Sequence, residues 1–235
     1  MFSYVQQLIL SKLLRADNLR YSEMTPEESR IDDDLYNYHL QFLVKKGFVK
    51  KEDKRYSLTE KGKVAVQHLD IKGNEQNYFK VGVLPYVVRI LNGKKEILLE
   101  KRLRHPYFGD VNPSISGKVL FGEKITDAAK RKLEEETGLE AEFKPIGVTR
   151  KIRRDKNNQI IEDTFYHVCY GENPTGVLDE RNVYGEHYWS DFNTALESQR
   201  KNVTASFLSE EVIKRVDSNR TEFFYFEEDI TLPKY

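Results

Sequence analysis

The stretch Gly117–Leu139, GKVLFGEKITDAAKRKLEEETGL, decides how this chain is read. Gly117 has no Cβ and lets the backbone bend close to a bound ion or phosphate. Glu123 follows after five residues and Arg131 after seven more. On the helix that carries Arg131, Glu135 lies one turn further on, and Lys132 stands in the same relation to Glu136. Gly138 closes the helix. With Leu133 facing the core, adjacent Glu135 and Glu136 cannot both avoid the same cleft. Crowded carboxylates repel one another unless a hard cation such as Mg²⁺ or Mn²⁺ sits among them. Such an ion can bridge diphosphate oxygens and activate water for attack on phosphorus. An EEE run alone is most often a solvated helix face. Its placement between Arg131 and Gly138, with Glu123 upstream, reverses that balance.

Outward from this stretch the sequence reads as strands. Tyr78–Leu91 is rich in β-branched and aromatic residues. Asn92-Gly93 is a hairpin turn signal, and Glu96–Arg102 (EILLEKR) returns as the second strand. Strands are expected again over 142–150 and 159–170, flanking the turn Asp155–Asn158, and the word EHYW follows at 186–189. Helices and strands in this order predict an α+β fold with one sheet sandwiched by helices.

These residues resemble the Nudix hydrolase pattern GX5EX7REUXEEXGU, where U is aliphatic. Gly117, Glu123, Arg131, Leu133, Glu135, Glu136, Gly138 and Leu139 fall on its positions, and EILLEKR, HPYFGDVNPSISG and EHYW agree around it. The resemblance spans most of residues 78 to 200. It implies a Nudix α/β/α sandwich and Mg²⁺- or Mn²⁺-dependent hydrolysis of a nucleoside diphosphate linked to another moiety. Glu135 and Glu136 are the implied metal ligands and catalytic carboxylates. Gly117, Glu123, Arg131 and Gly138 are the implied structural residues, Glu123 pairing with Arg131.

Lys132 departs from the pattern, which has glutamate there. An ammonium in place of a carboxylate changes the local charge by two units. One unit charge about 5 Å from another, at an effective dielectric near 20, is worth about 3 kcal/mol. Weaker metal binding is expected, and Lys132 can tie up Glu136 as an i,i+4 pair. Glu186 or Glu180 could supply a replacement carboxylate, Glu186 being the preferred third catalytic residue. Alternatively the site binds a nucleotide without cleaving it, with Lys132 on a phosphate beside Arg102 and Lys118. Tyr107 and Phe108 could stack on a base, while Trp189 reads as core. The basic run Arg150, Lys151, Arg153, Arg154, Lys156 reads as a solvated hairpin. His105, His167 and His187 lack metal-ligand spacing.

The first third has another grammar. Helices are expected over 2–16, 21–28 and 32–47, then a hairpin through Glu52-Asp53-Lys54 and a helix opening at Thr59. The words LYNYHLQFLVKKGFVKK and RYSLTEKGK resemble the winged helix-turn-helix family, which implies duplex DNA as a partner. Between Lys45 and Lys63, eight Lys/Arg face three acids, and Lys50, Lys51, Lys54 and Arg55 on the wing are the candidate DNA contacts. Asp32, Asp33 and Asp34, at the start of the recognition helix, repel phosphate but serve as a cap. Protein docking or homodimerisation stays open beside DNA binding. The expected division is a winged helix domain over 1–70, a linker over 71–77, and a Nudix domain with a C-terminal extension over 78–235. A regulator sensing a nucleotide such as ADP-ribose is therefore the alternative to a hydrolase.

Lys+Arg and Asp+Glu both number 38 among 235 residues, so whole-chain charge points to no polyanionic partner. One cysteine, Cys169, excludes an internal disulfide and a multi-cysteine zinc site. No apolar run approaches the ~20 residues that span a bilayer. A cytoplasmic protein without a membrane partner is expected.

Overall fold

The computed structural model describes residues 2–16, 18–24, 31–67, 69, 78–105 and 107–232. The chain divides into two compact units, Met1–Tyr78 and Phe79–Tyr235. The expected linker, 71–77, lies outside the described residues, as does 25–28 of the expected second helix.

The first unit runs α1 (Tyr4–Leu14), β1 (Leu19–Arg20), α2 (Tyr21–Met24), α3 (Asp33–Lys45), β2 (Val49–Glu52), β3 (Arg55–Leu58) and α4 (Glu60–Val66). Helix α1 starts in a capping box, Ser3 and Gln6 each satisfying the other's backbone N–H. The acidic start of α3 acts as a cap: Asp32 accepts from Asp34 N at 2.7 Å. Gly47, at φ +74°, ends that helix, where a side chain would be strained. Asp53 and Lys54 both take positive φ in the β2–β3 turn. Strand β1, absent from the sequence reading, joins this hairpin in the order β1-β3-β2. Ile9, Leu10, Met24, Tyr36, Leu40 and Leu43 are wholly buried between the helices.

The second unit continues with β4 (Lys80–Leu91), β5 (Lys94–Arg102), β6 (Val111–Asn112), β7 (Gly117–Lys118), α5 (Ile125–Thr137), β8 (Leu139–Glu140), β9 (Phe143–Arg154), β10 (Ile160–Glu172) and β11 (Thr175–Gly176). It closes with β12 (Gly185–Ser190), α6 (Phe192–Lys201), α7 (Phe207–Asp217) and β13 (Phe224–Thr231). The main sheet runs β12-β5-β4-β10-β9-β13, with β6 on β5 and β7 on β4. Asn92 and Gly93, both at positive φ, make the β4–β5 turn.

Alternation along β4 and β5 sends side chains to two cores. Val83, Val87 and Leu98 pack with Ala128, Ala129 and Leu133 of α5, where the buried Cys169 also lies. Tyr86, Val88, Ile97 and Leu99 pack on the other face with Phe192 and Ala195 of α6 and Val212, Ile213 and Val216 of α7. This is the expected α/β/α sandwich. Among the described residues no helix is long and apolar enough to cross a membrane.

Of the basic run at 150–156, only Lys156 in the turn is exposed to solvent as expected. Lys151 and Arg153 are buried on β9, Lys151 donating to Ser209 Oγ of α7 at 2.9 Å and Arg153 paired with Glu162 at 2.7 Å. Arg150 and Arg154 pair with Asp163 and Asp229 on the flanking strands β10 and β13. Sheet pairing on both sides turned surface charges into partnered ones.

Candidate functional site

Glu123 and Arg131 lock the loop before α5 to the helix. Arg131 Nε and Nη2 donate to Glu123 Oε1 and Oε2 at 2.7 and 2.8 Å, and Leu120 N donates to Oε2 at 2.8 Å. The Arg131 hydrogen bonds hold the Glu123 carboxyl at about 2. Arg131 also donates to the Lys118 carbonyl at 3.0 Å and to Glu135 at 3.2 Å. Gly138, at φ +69°, caps α5 and gives its N–H to Glu134 O.

Lys132 stands where the family pattern has a carboxylate. Its Nζ donates to Glu135 Oε2 at 3.2 Å and is in contact with Glu136 Oε1. Gly117 makes room for it: a Cβ there would lie 2.2 Å from Lys132 Cγ and 2.5 Å from Cδ. The ammonium also sits 5.2 Å from the Tyr184 ring centroid. Hydrogen bonds from Lys132 and Arg131 outweigh burial and hold Glu135 below the usual carboxylate range. These residues do not fit a hard divalent ion shared by Glu135 and Glu136. The Lys132 ammonium occupies the position between the two carboxylates, and Arg104 Nη2 donates to Glu136 Oε2 at 3.1 Å.

Behind Lys132 lies a group that no spacing in the sequence announced. Strand β12 pairs antiparallel with β5 so that His187 stands opposite Glu100, and both face Glu136 of α5. Glu100, Glu136 and His187 are 0%, 1% and 1% exposed. Each offers a ligand atom within 4.8 Å of the others. His187 Nδ1 faces the Asp179 carbonyl at 3.1 Å, while Nε2 and both Glu100 oxygens have no hydrogen-bond partner. A buried polar atom left unpartnered costs about 1–3 kcal/mol, more when charged. Burial, with the neighbouring Glu136 charge, pushes Glu100 up to about 7 against the pull of Arg102, Arg104 and Lys132. Burial likewise lowers His187.

A cleft of about 580 Å³ opens beside this group, within the range of small-molecule sites. Arg102, Arg104, Lys118, Lys132 and Lys80 line it together with Tyr107, Tyr166 and Tyr184. Arg102 Nη1 donates to Ser116 Oγ at 3.3 Å, which aims the guanidinium along the wall. All three expected phosphate contacts, Arg102, Lys118 and Lys132, therefore meet in one place. Phe108 is exposed and does not line the cleft. Trp189 packs partly buried on the α5-side core under the Arg89 guanidinium.

Glu186 stands apart from Glu136. Alternation along β12 turns it away from the face that His187 presents, and its carboxylate pairs with Lys101 at 3.3 Å and Arg181 at 3.1 Å. In the first unit, Lys50 pairs with Glu52 at 3.0 Å, Lys51 lies over Tyr56, and Arg55 donates to Asn18 at 2.8 Å. Lys54 occupies the tip of the turn.

A sheet between helices, with a glycine turn, a Glu–Arg latch and a carboxylate helix at a basic cleft, defines an α/β/α sandwich with a cationic cleft beside α5. Residues 83–209, more than half of the chain, match the NUDIX domain, and the chain belongs to that family. Residues 5–69 match a domain of unknown function, DUF7347. The fold is similar to a mutator MutT protein from Bacillus halodurans, with TM-score 0.51 and 18% identity over 64% of this chain and 91% of that one. It is similar also to the NUDIX domain of Shewanella oneidensis NrtR complexed with ADP ribose, with TM-score 0.52 and 15% identity over 70% of this chain and 100% of that one. Identities so low speak to fold alone. An isopentenyl-diphosphate Delta-isomerase of Halorhodospira halophila (strain DSM 244 / SL1) is 29% identical over 94 residues, 39% of this chain and 54% of the isomerase. The chain thus spans about half the length of that relative.

Proposed function

We propose that the cleft beside α5 binds the diphosphate of a nucleoside diphosphate derivative, and that Lys132 grips the ligand where the family pattern has a metal-binding carboxylate. The observation that carries this reading is the contact of one ammonium with both Glu135 and Glu136 at the edge of a basic cleft. Arg102, Lys118 and Lys132 are the phosphate contacts, and the tyrosine walls suit a base. Hydrolysis driven by Mg²⁺ at Glu135 and Glu136 is then slow in the native chain. ADP-ribose heads the ligand panel because the NrtR domain of similar fold holds it.

Calorimetry across a panel of nucleoside diphosphate derivatives, with product analysis in Mg²⁺, tests this. A ligand is expected to bind with little turnover. Lys132→Ala or Arg102→Ala should weaken it about 10- to 100-fold, the worth of one charge-assisted hydrogen bond. Absence of binding across the panel sinks the proposal. Rapid Mg²⁺-dependent release of a nucleoside monophosphate, abolished by Glu136→Gln, replaces it with the hydrolase reading.

A second reading concerns the first unit. The order α1-β1-α2-α3-β2-β3, ending in a basic hairpin, supports a winged helix that binds duplex DNA. Neutralising several phosphates makes such binding fall steeply with salt. The Lys50→Ala/Lys51→Ala variant should weaken it and flatten that slope; salt-independent retention or no gel shift ends the idea.

A further inference from the structure

We infer that Glu100, Glu136 and His187 form a binding site for one divalent transition-metal ion, inward of Glu135. The three side chains come from β5, α5 and β12, and the β5–β12 register sets His187 opposite Glu100. The ligand atoms lie within 4.8 Å of one another, and a single ion with donors at about 2.0–2.2 Å would draw them in to roughly 3–4 Å apart.

Two further observations point to a ligand there. A carbonyl can only accept, so the Asp179 oxygen at 3.1 Å fixes the His187 proton on Nδ1 and leaves the Nε2 lone pair facing the glutamates. This is how a metal-binding imidazole is oriented. The loop that supplies the carbonyl is itself tied to α5, since Asp179 N donates to Thr137 O at 2.8 Å and Asn182 Nδ2 to Glu136 O at 2.7 Å. Second, Nε2 and both Glu100 oxygens are wholly buried without a hydrogen-bond partner. Arg104 Nη2 approaches Glu100 at 3.5 Å without making one. A cation among the three donors would partner His187 Nε2 and at least one Glu100 oxygen at once.

The imidazole selects the ion. One nitrogen and two carboxylates favour Zn²⁺, then Mn²⁺, over Mg²⁺, whose preference is for oxygen. Lys132 and Arg104 already hold Glu136 and compete with the ion for it, so their charges weaken binding. The inference does not rest on the diphosphate reading, and its test contains no nucleotide.

The test is Zn²⁺ titration of tag-free, full-length protein against a chromophoric chelator, with Mn²⁺ pulsed EPR on the same protein. One Zn²⁺ per chain is expected. His187→Gln and Glu100→Gln should each lower its affinity at least about tenfold, the lower end of what a perturbed ligand shell costs. Glu135→Gln should leave it within about twofold, and Lys132→Met should tighten it. Bound Mn²⁺ in the unsubstituted protein should show an imidazole nitrogen coupling, which needs no variant to fold. Circular dichroism verifies each variant. Failure of Zn²⁺ to bind, a coupling-free Mn²⁺ spectrum, an unaffected His187→Gln, or a Glu135→Gln loss as large as that of His187→Gln overturns the assignment. Stoichiometric displacement of Zn²⁺ by Mg²⁺ overturns it as well.

Discussion

Replacing the ammonium of Lys132 by a carboxylate would be felt by every acid around it. Lys132 contacts Glu136 and Glu135, and its charge also reaches Glu100. Lys132→Glu therefore sets a third carboxylate against Glu136, which is 1% exposed and would be left with Arg104 as its cationic partner among the described residues. Breaking one side of a buried ion pair costs about 3–5 kcal/mol. At about 2–4 °C per kcal/mol for a unit of this size, the metal-free variant should melt roughly 10 °C lower. Saturating Mg²⁺ should recover part of that loss by supplying the missing cation. Thermal melts with and without Mg²⁺ read both effects. A variant as stable as the parent, or one indifferent to Mg²⁺, shows that Lys132 is not the stand-in for an ion.

Between elements, the seat of Lys132 depends on β7 lying against α5 without a Cβ at Gly117. Gly117→Ala should push the lysine stem aside, since its Cγ, Cδ and Cε all lie within 2.7 Å of the added carbon. A double-mutant cycle checks this. The loss on Gly117→Ala should shrink by more than about 1 kcal/mol in a Lys132→Ala background, as for residues in direct contact. Simple additivity of the two changes refutes the seat. A second test lies between β9 and α7. Burial lowers Lys151 to about 8, so between about 8 and its unfolded value of 10.5 the unfolded chain binds more protons. Stability conferred relative to Lys151→Met should thus rise with pH across that window and stay flat below it. A pH series of chemical denaturations on both proteins gives the difference; a flat or falling difference rejects the assignment. These contacts also show what the sequence could carry. Within α5, spacing alone paired Lys132 with Glu136, while the family resemblance paired Glu123, ahead of the helix, with Arg131. Glu100 and His187 are 87 residues apart, and only the β5–β12 register joins them. No local pattern could reveal that, nor that α7 would cover Lys151.

At the scale of the whole molecule, the apolar clusters of the described residues divide between the two units. One cluster draws only on residues up to Leu69, the other two only on residues from Val83 onward. Everything lining the cleft falls between Lys80 and Tyr184, and the inferred metal donors end at His187. A fragment of residues 79–235 should therefore fold alone and bind Zn²⁺ as the full chain does. The C-terminal segment is a different matter, for the sequence marked it only as an extension. Strand β13 pairs parallel with β9 and closes that edge of the sheet. Phe224 lies over Gly147, where a Cβ would come within 2.6 Å of its ring. Val212, Ile213, Val216 and Phe224 are all buried in the cluster shared with β4 and β5. At about 1.5–3 kcal/mol for each buried side chain, their removal forfeits roughly 6–12 kcal/mol, comparable with the whole stability of an ordinary domain. It also bares β9 as an unpaired edge, which invites pairing between chains. Truncation after Ala205 should then leave a chain without a cooperative melt, eluting as aggregate on size exclusion. A monomer with an unchanged transition would show instead that the sandwich stands without this segment.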